Sequence, residues 1–150
     1  MNYVDLETLY QQSDVISLHC PLLNDTHHII SGTSIGLMKR GVMIINTSRG
    51  GLIDTEALIK GLKDKKVGYA GLDVYEEESE YFFEDFSDEI IDDDVLTRIL
   101  SFPNVLVTSH QAFLTAEALE NIASTTLESV KAYENGDNLI NEICYNCDKK

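Results

Sequence analysis

Four short apolar runs, none longer than seven residues, restrict what this chain can fold into: Val15-Ile-Ser-Leu-His19, Val42-Met-Ile-Ile-Asn46, Val67-Gly-Tyr-Ala-Gly-Leu-Asp73 and Val105-Leu-Val-Thr108. Continuous apolar runs of this length suit strands buried in a sheet, whereas strands with one solvated face alternate polar and apolar residues. The segments between them carry helical spacing. Leu6, Leu9 and Tyr10 share a face before the first run, and Ala57, Leu58 and Leu62 do so in Asp54 to Lys63, with Asp54 placed as N-cap. Asp94 to Leu100 forms a further helix, closed off by Pro103 ahead of the last run. Strands alternating with helices predict an α/β fold with a mostly parallel sheet covered on both faces. The longest helix is expected from Thr115 to Tyr133, with Leu119, Ile122, Ala123, Thr126, Leu127, Val130 and Tyr133 on its apolar side and Gly136 as terminator.

The nine glycines form neither a G-x-G-x-x-G fingerprint nor a phosphate loop of the G-x-x-x-x-G-K-[ST] type. The expected architecture is therefore a partial Rossmann-like, doubly wound parallel sheet that lacks the glycine-rich first βαβ unit. With 26 acidic against 11 basic residues, the net charge of -15 opposes a nucleic-acid surface. Eleven of those acids lie between Glu76 and Asp94, a run read as a solvated loop face. No stretch of 18 apolar residues and no basic-then-apolar N-terminus occurs, so neither a membrane span nor a secretory signal is expected, and a cytoplasmic setting is. Cys20, Cys144 and Cys147 are too few for a disulfide scaffold, and reduced thiols are the default. Cys144-Tyr-Asn-Cys147 has metal or redox spacing but lacks a second pair of ligands. His19, His27 and His28 lack both a helical ligand spacing and a fixed acidic partner. No metal site is expected from them; core packing is expected for His19 and exposure for the pair. Asn46-Thr47-Ser48 matches the glycosylation pattern without a signal to bring it to that machinery.

In a doubly wound sheet, ligands bind beyond the carboxyl ends of the strands. Three chemically capable side chains follow three strand ends: Arg49 after Asn46, Glu78 after Asp73 and His110 after Thr108. A guanidinium beside Gly50-Gly51 can grip a carboxylate with paired donors, although a surface arginine would fit the same sequence. An imidazole titrating near neutrality can exchange a proton with a carbonyl oxygen, although a histidine held at the core edge is an equal reading. Glu78 could orient that imidazole and favour its charged form, but it is one acid among many.

Taken together, Ser17-Leu-His-Cys-Pro-Leu22, Ile45-Asn-Thr-Ser-Arg-Gly50 with Leu52-Ile-Asp54, Gly71-Leu-Asp-Val-Tyr-Glu76 and Asn104-Val-Leu-Val-Thr-Ser-His-Gln-Ala-Phe-Leu-Thr-Ala-Glu-Ala118 resemble the D-isomer-specific 2-hydroxy-acid dehydrogenases. The last block, with Phe82-Phe-Glu-Asp85 ahead of it, is similar to their fermentative D-lactate dehydrogenase branch. The resemblance implies NAD as cofactor and a small 2-keto or 2-hydroxy acid as substrate, reduced or oxidised by hydride transfer. It implies that Arg49 binds the substrate carboxylate, Glu78 partners the histidine and His110 exchanges the proton; Glu76 and Glu77 replace Glu78 only if the turn register differs. Cofactor contacts are implied at Cys20, Pro21, Thr47, Ser48 and Asp73, with Asp73 orienting the nicotinamide carboxamide. Thr26 stands where many members have asparagine.

In that family, the glycine-rich turn and a separate substrate lobe precede the block that begins here near Asp5. Residues 1–114 are thus expected to be the C-terminal part of the NAD-binding domain, and 115–150 a long helix and tail that return to the other lobe. The same absence makes the isolated chain an expected non-catalyst, a segment of a D-lactate dehydrogenase. Another 2-hydroxy-acid dehydrogenase and a non-catalytic or complementing subunit are the alternatives, and partners are expected to be further copies or a complementing N-terminal segment.

Overall fold

The computed structural model describes residues 2–76 and 93–143. Glu77, Glu78, Cys144, Cys147 and most of the acidic run lie outside them. Two compact units result, Met1–Ala112 and Phe113–Lys150.

In the first unit, α1 (Leu6–Gln12) starts at Asp5, whose side chain accepts from the Thr8 N–H at 2.7 Å. That bond holds the Asp5 carboxyl below the usual carboxylate range. Four parallel strands follow in the spatial order of the sequence: β1 (Val15–Leu18), β2 (Val42–Asn46), β3 (Val67–Leu72) and β4 (Val105–Val107). They are joined by α2 (Gly32–Leu37), by the 3-10 turn η1 (Gly50–Leu52) with α3 (Thr55–Lys63), and by α4 (Asp94–Leu100). The second unit holds α5 (Ala116–Asn135), capped by the Thr115 hydroxyl and ended by Gly136 at φ 72°, the left-handed C-cap that glycine takes without Cβ strain. None of its described side chains is buried, and the stripe of Leu119, Ile122, Leu127, Val130 and Tyr133 is exposed.

Parallel pairing requires a crossover between neighbouring strands, and the alternation along each strand shows which face those crossovers cover. Ile16, Leu18, Val42, Ile44, Ala70 and Leu72 are buried, and they share their core with Ile30, Leu52, Leu58 and Ile99 from the connecting segments. The residues between them face the other way. Val15, Tyr69 and Leu106 are 53%, 58% and 65% exposed, so the expectation of a sheet covered on both faces is corrected for this unit. The runs predicted as strands are otherwise present, each ending within one residue of its expected limit. Sequence reading missed α2 and η1. Helix α2 has only six residues, and its start is set by a reciprocal cap in which Ser31 and Ser34 serve each other's backbone N–H groups.

The acidic run is not uniformly solvated. Asp93 is buried, accepting the Tyr75 hydroxyl at 2.8 Å and capping α4 through the Val95 and Leu96 N–H groups. Gly50 is fixed by packing. Its backbone lies against Tyr75 and Glu76, and a Cβ there would fall 2.0 Å from the Tyr75 carbonyl carbon and oxygen, so the glycine serves chain packing before any ligand. Gly50→Ala should therefore destabilise the chain by on the order of 3 kcal/mol. Gly71→Ala, whose Cβ meets nothing nearer than Ile45 at 3.9 Å, should stay within about 1 kcal/mol of the parent. Equilibrium urea unfolding followed by circular dichroism checks the contrast, and equal stabilities would refute the close approach.

Candidate functional site

Strands β2, β3 and β4 finish level with one another. Asn46 pairs with Leu72, and Leu72 with Val107, so the loops that follow leave the sheet side by side. Hydrogen bonds continue past the strands: the Asp73 N–H donates to the Asn46 carbonyl at 2.9 Å, and the Thr108 N–H to the Leu72 carbonyl at 3.0 Å. This edge is where Arg49 and His110 enter.

The loop after β2 is held from within. Buried Asn46 accepts the Ser48 N–H at 3.1 Å and donates its amide to the Arg49 carbonyl at 2.8 Å, while the Ser48 hydroxyl donates to the Cys20 carbonyl at 2.7 Å. An amide so engaged is no acceptor for a glycan. Arg49 is exposed, with Nη1 donating to the Ser48 carbonyl at 2.7 Å, which leaves most of its five donors for a ligand. Cys20 is half-buried, and Pro21 and Thr47 are exposed beside it on the sheet edge.

Asp73 organises the other side. It is buried, its Oδ1 accepts from the Thr108 hydroxyl and from the Gln111 N–H at 2.8 Å, and its Oδ2 accepts from the Ala112 N–H at 3.0 Å. Its carbonyl accepts the His110 N–H at 2.5 Å. Burial alone would push this carboxyl up. The hydroxyl and the two backbone donors, with His110 nearby, outweigh it and hold Asp73 below the usual carboxylate range. The bonds also fix an uncommon backbone, since Ser109 and His110 both lie in the left-handed region at φ 50° and 56°. His110 is consequently half-buried, with Nδ1 shielded from solvent.

Beside the carboxylate opens a groove of about 590 Å³ whose floor is apolar, made by Met43, Ile45, Gly71 and Leu106, and whose rim carries Thr47, Asp73 and Thr108. A flat ring with one amide fits this combination: apolar floor for the ring, and an ionised carboxylate whose Oδ2 has taken a single donor for the amide N–H. The nicotinamide half of a dinucleotide is such a group.

His19 departs from expectation. It is exposed, its Nε2 2.8 Å from the Ser17 hydroxyl, because strand β1 ends at Leu18 and the chain turns outward. His27 is exposed as expected, but His28 is half-buried and pairs with Glu76 at 2.6 Å, an acidic partner 48 positions away that spacing could not reveal. Sequence reading also missed Asn46 and Thr108; a polar residue closing an apolar strand was the available signal.

The comparisons with known proteins agree with this geometry. The family described as D-isomer specific 2-hydroxyacid dehydrogenase, NAD binding domain, matches residues 1–112. A D-lactate dehydrogenase of Escherichia coli K12 is 52% identical over 143 residues, 95% of this chain and 44% of that protein. An aromatic 2-oxoacid reductase of Clostridium sporogenes is 46% identical over 134 residues, 89% of this chain and 40% of its own length. A crystal structure of the D-lactate dehydrogenase of Lactobacillus jensenii with NAD+ superposes with a TM-score of 0.86 at 34% identity, covering 95% of this chain and 43% of that one. The chain spans somewhat under half the length of these relatives.

Asp73→Asn should cost about 1–3 kcal/mol, since an amide group in place of Oδ2 would meet the Ala112 N–H donor to donor. The pH dependence has a definite sign. A carboxylate depressed in the folded state stabilises above its ordinary value of 3.8, and that stability is lost as pH falls from there through the lower native value. Urea unfolding between neutrality and acid should show a steeper loss of stability in the parent than in Asp73→Asn. Identical acid limbs would mean that Asp73 does not clamp the turn.

Proposed function

The chain belongs to the D-isomer-specific 2-hydroxyacid dehydrogenases, carrying part of their NAD-binding domain, and from that premise we propose that it contributes the reacting half of an enzyme interconverting pyruvate and D-lactate. The observation that carries this reading is the level edge of β2, β3 and β4, with Arg49 in the loop that follows β2 and His110 in the Asp73-clamped turn that follows β4.

Arg49 would hold the substrate carboxylate with its planar fork. His110 would give a proton to the keto oxygen as the alcohol forms and take it back in the reverse direction. Glu78, which lies outside the described residues, would face the ring nitrogen turned away from substrate and favour the imidazolium. Asp73 and the Cys20-Pro21 and Thr47-Ser48 segments would position the nicotinamide end. When bound, NADH supplies the hydride; the protein supplies placement and charge. The relative that reduces aromatic 2-oxoacids keeps a bulkier substrate as the second reading, since the lactate preference rests on the stretch Gln111-Ala-Phe-Leu114. Among the described residues no helix is long and apolar enough to cross a membrane, and the free thiol of Cys20 suits a reducing, cytoplasmic setting. The 150 residues alone, without a glycine-rich phosphate turn among them, should hold NADH weakly.

Grafting residues 5–143 into the corresponding segment of the Escherichia coli relative tests the proposal. His110→Ala in the graft should lower kcat for pyruvate about 100- to 10,000-fold. Arg49→Lys should lower kcat/KM roughly 100-fold while NADH affinity, titrated by fluorescence, changes little. Equal losses of catalysis and cofactor binding would assign Arg49 a folding role and sink the assignment.

A further inference from the structure

We propose that His27, His28 and Glu76 form a binding site for a divalent transition-metal ion of the zinc type. The two imidazoles and the carboxylate offer three ligand atoms that all lie within 4.8 Å of one another. Nothing in the reaction proposed above uses them.

The site is assembled by backbone geometry. Thr26 closes the turn after Pro21, its hydroxyl donating to the Pro21 carbonyl at 2.7 Å and accepting the Leu23 N–H at 2.8 Å. The His28 N–H then donates to the Gly51 carbonyl at 2.9 Å, with His28 at φ 51°. Two consecutive side chains of an extended segment would point apart. The left-handed residue turns them to the same side, and the rings stack with centroids 3.9 Å apart and planes 26° off parallel.

Glu76 supplies the second, independent feature. Its Oε2 accepts both the backbone N–H and the hydroxyl of Thr55, at 3.0 and 2.5 Å, at the first residue of α3. Its Oε1 is thereby presented to His28 Nε2 at 2.6 Å. A carboxylate with one oxygen fixed by outer hydrogen bonds and the other turned to an imidazole is the arrangement that orients metal ligands. At 2.6 Å, nitrogen and oxygen are hydrogen-bonded, and the ion would take the place of that bond.

Zinc binds imidazole nitrogen and carboxylate oxygen at about 2.0–2.2 Å, so tetrahedral neighbours stand roughly 3.4 Å apart. Bringing the three donors to that spacing requires movements of about 1 Å, within the reach of an exposed His27 side chain. Two histidines and one glutamate make a donor set that zinc accepts with its fourth position left to water. Magnesium and calcium prefer all-oxygen sets and fit poorly. A bound ion would tie the 26–28 turn to the end of β3 and the start of α3.

The test is a titration of the full 150-residue chain carrying Cys144→Ser and Cys147→Ser, which removes the thiolate pair in the tail. Calorimetry with Zn2+ should find one ion per chain in the micromolar range. His27→Gln, an exposed substitution that should leave the circular dichroism unchanged, should weaken binding at least tenfold, and His28→Gln should do the same. Co2+ should give the visible bands of a four-coordinate site in the parent and not in either variant. Absence of Zn2+ binding up to millimolar concentration overturns the proposal, as does binding that both histidine variants leave intact.

Discussion

The edge beyond β2, β3 and β4 depends on one buried negative charge. Removing a carboxylate from water is costly unless hydrogen bonds replace the lost solvation. Asp73 receives them from Thr108, Gln111 and Ala112, all within one five-residue turn. The turn can meet the carboxylate only by taking two successive left-handed residues, Ser109 and His110. The cost of that backbone and the cost of that burial are therefore met by the same bonds. The placement of His110 is the geometrical result.

The residues after Asp73 extend the same principle. The Tyr75 hydroxyl reaches Asp93 at the start of α4, and the Glu76 carboxylate reaches Thr55 at the start of α3. One short stretch at the end of β3 thus connects the β4 turn and two helix N-termini, each through a carboxylate, or a hydroxyl bonded to one. Gly50 permits this by letting the loop after β2 lie directly on the Tyr75–Glu76 backbone. A side chain at position 50 would separate the Arg49 loop from the segment that leads to Glu78.

Local pattern made much of this fold legible. The four apolar runs became four parallel strands, and Asp54 caps α3 as its position before the apolar face suggests. What escaped is either too short or too distant. Helix α2 is held by a serine pair instead of an apolar period, and the His28–Glu76 pair joins two loops through the fold itself. At the candidate site, Arg49 and His110 could be singled out because their chemistry is visible in the residue type and their place follows from a strand end. The clamp that Asp73 makes could not be, because three of its bonds end on the backbone or on an unremarkable threonine. His19 illustrates the converse: a histidine closing an apolar run looks like core until the strand is seen to stop one residue earlier.

The sheet's two faces carry different constraints. On the side of α2, α3 and α4, the buried strand residues Ile16, Leu18, Val42, Ile44, Val67, Ala70 and Leu72 are apolar, so substitutions there act through packing. The opposite side has an apolar floor beside an ionised, hydrogen-bonded carboxylate, a combination that a protein interior tolerates only when the charge is fully served. Asp73 is served by its turn and lines the groove. Under the proposed function, the carboxylate that shapes the histidine's backbone would also meet an amide of the cofactor. Hydride donor and proton donor would then share one fixed reference point, so that an error in placing either would be an error in placing both.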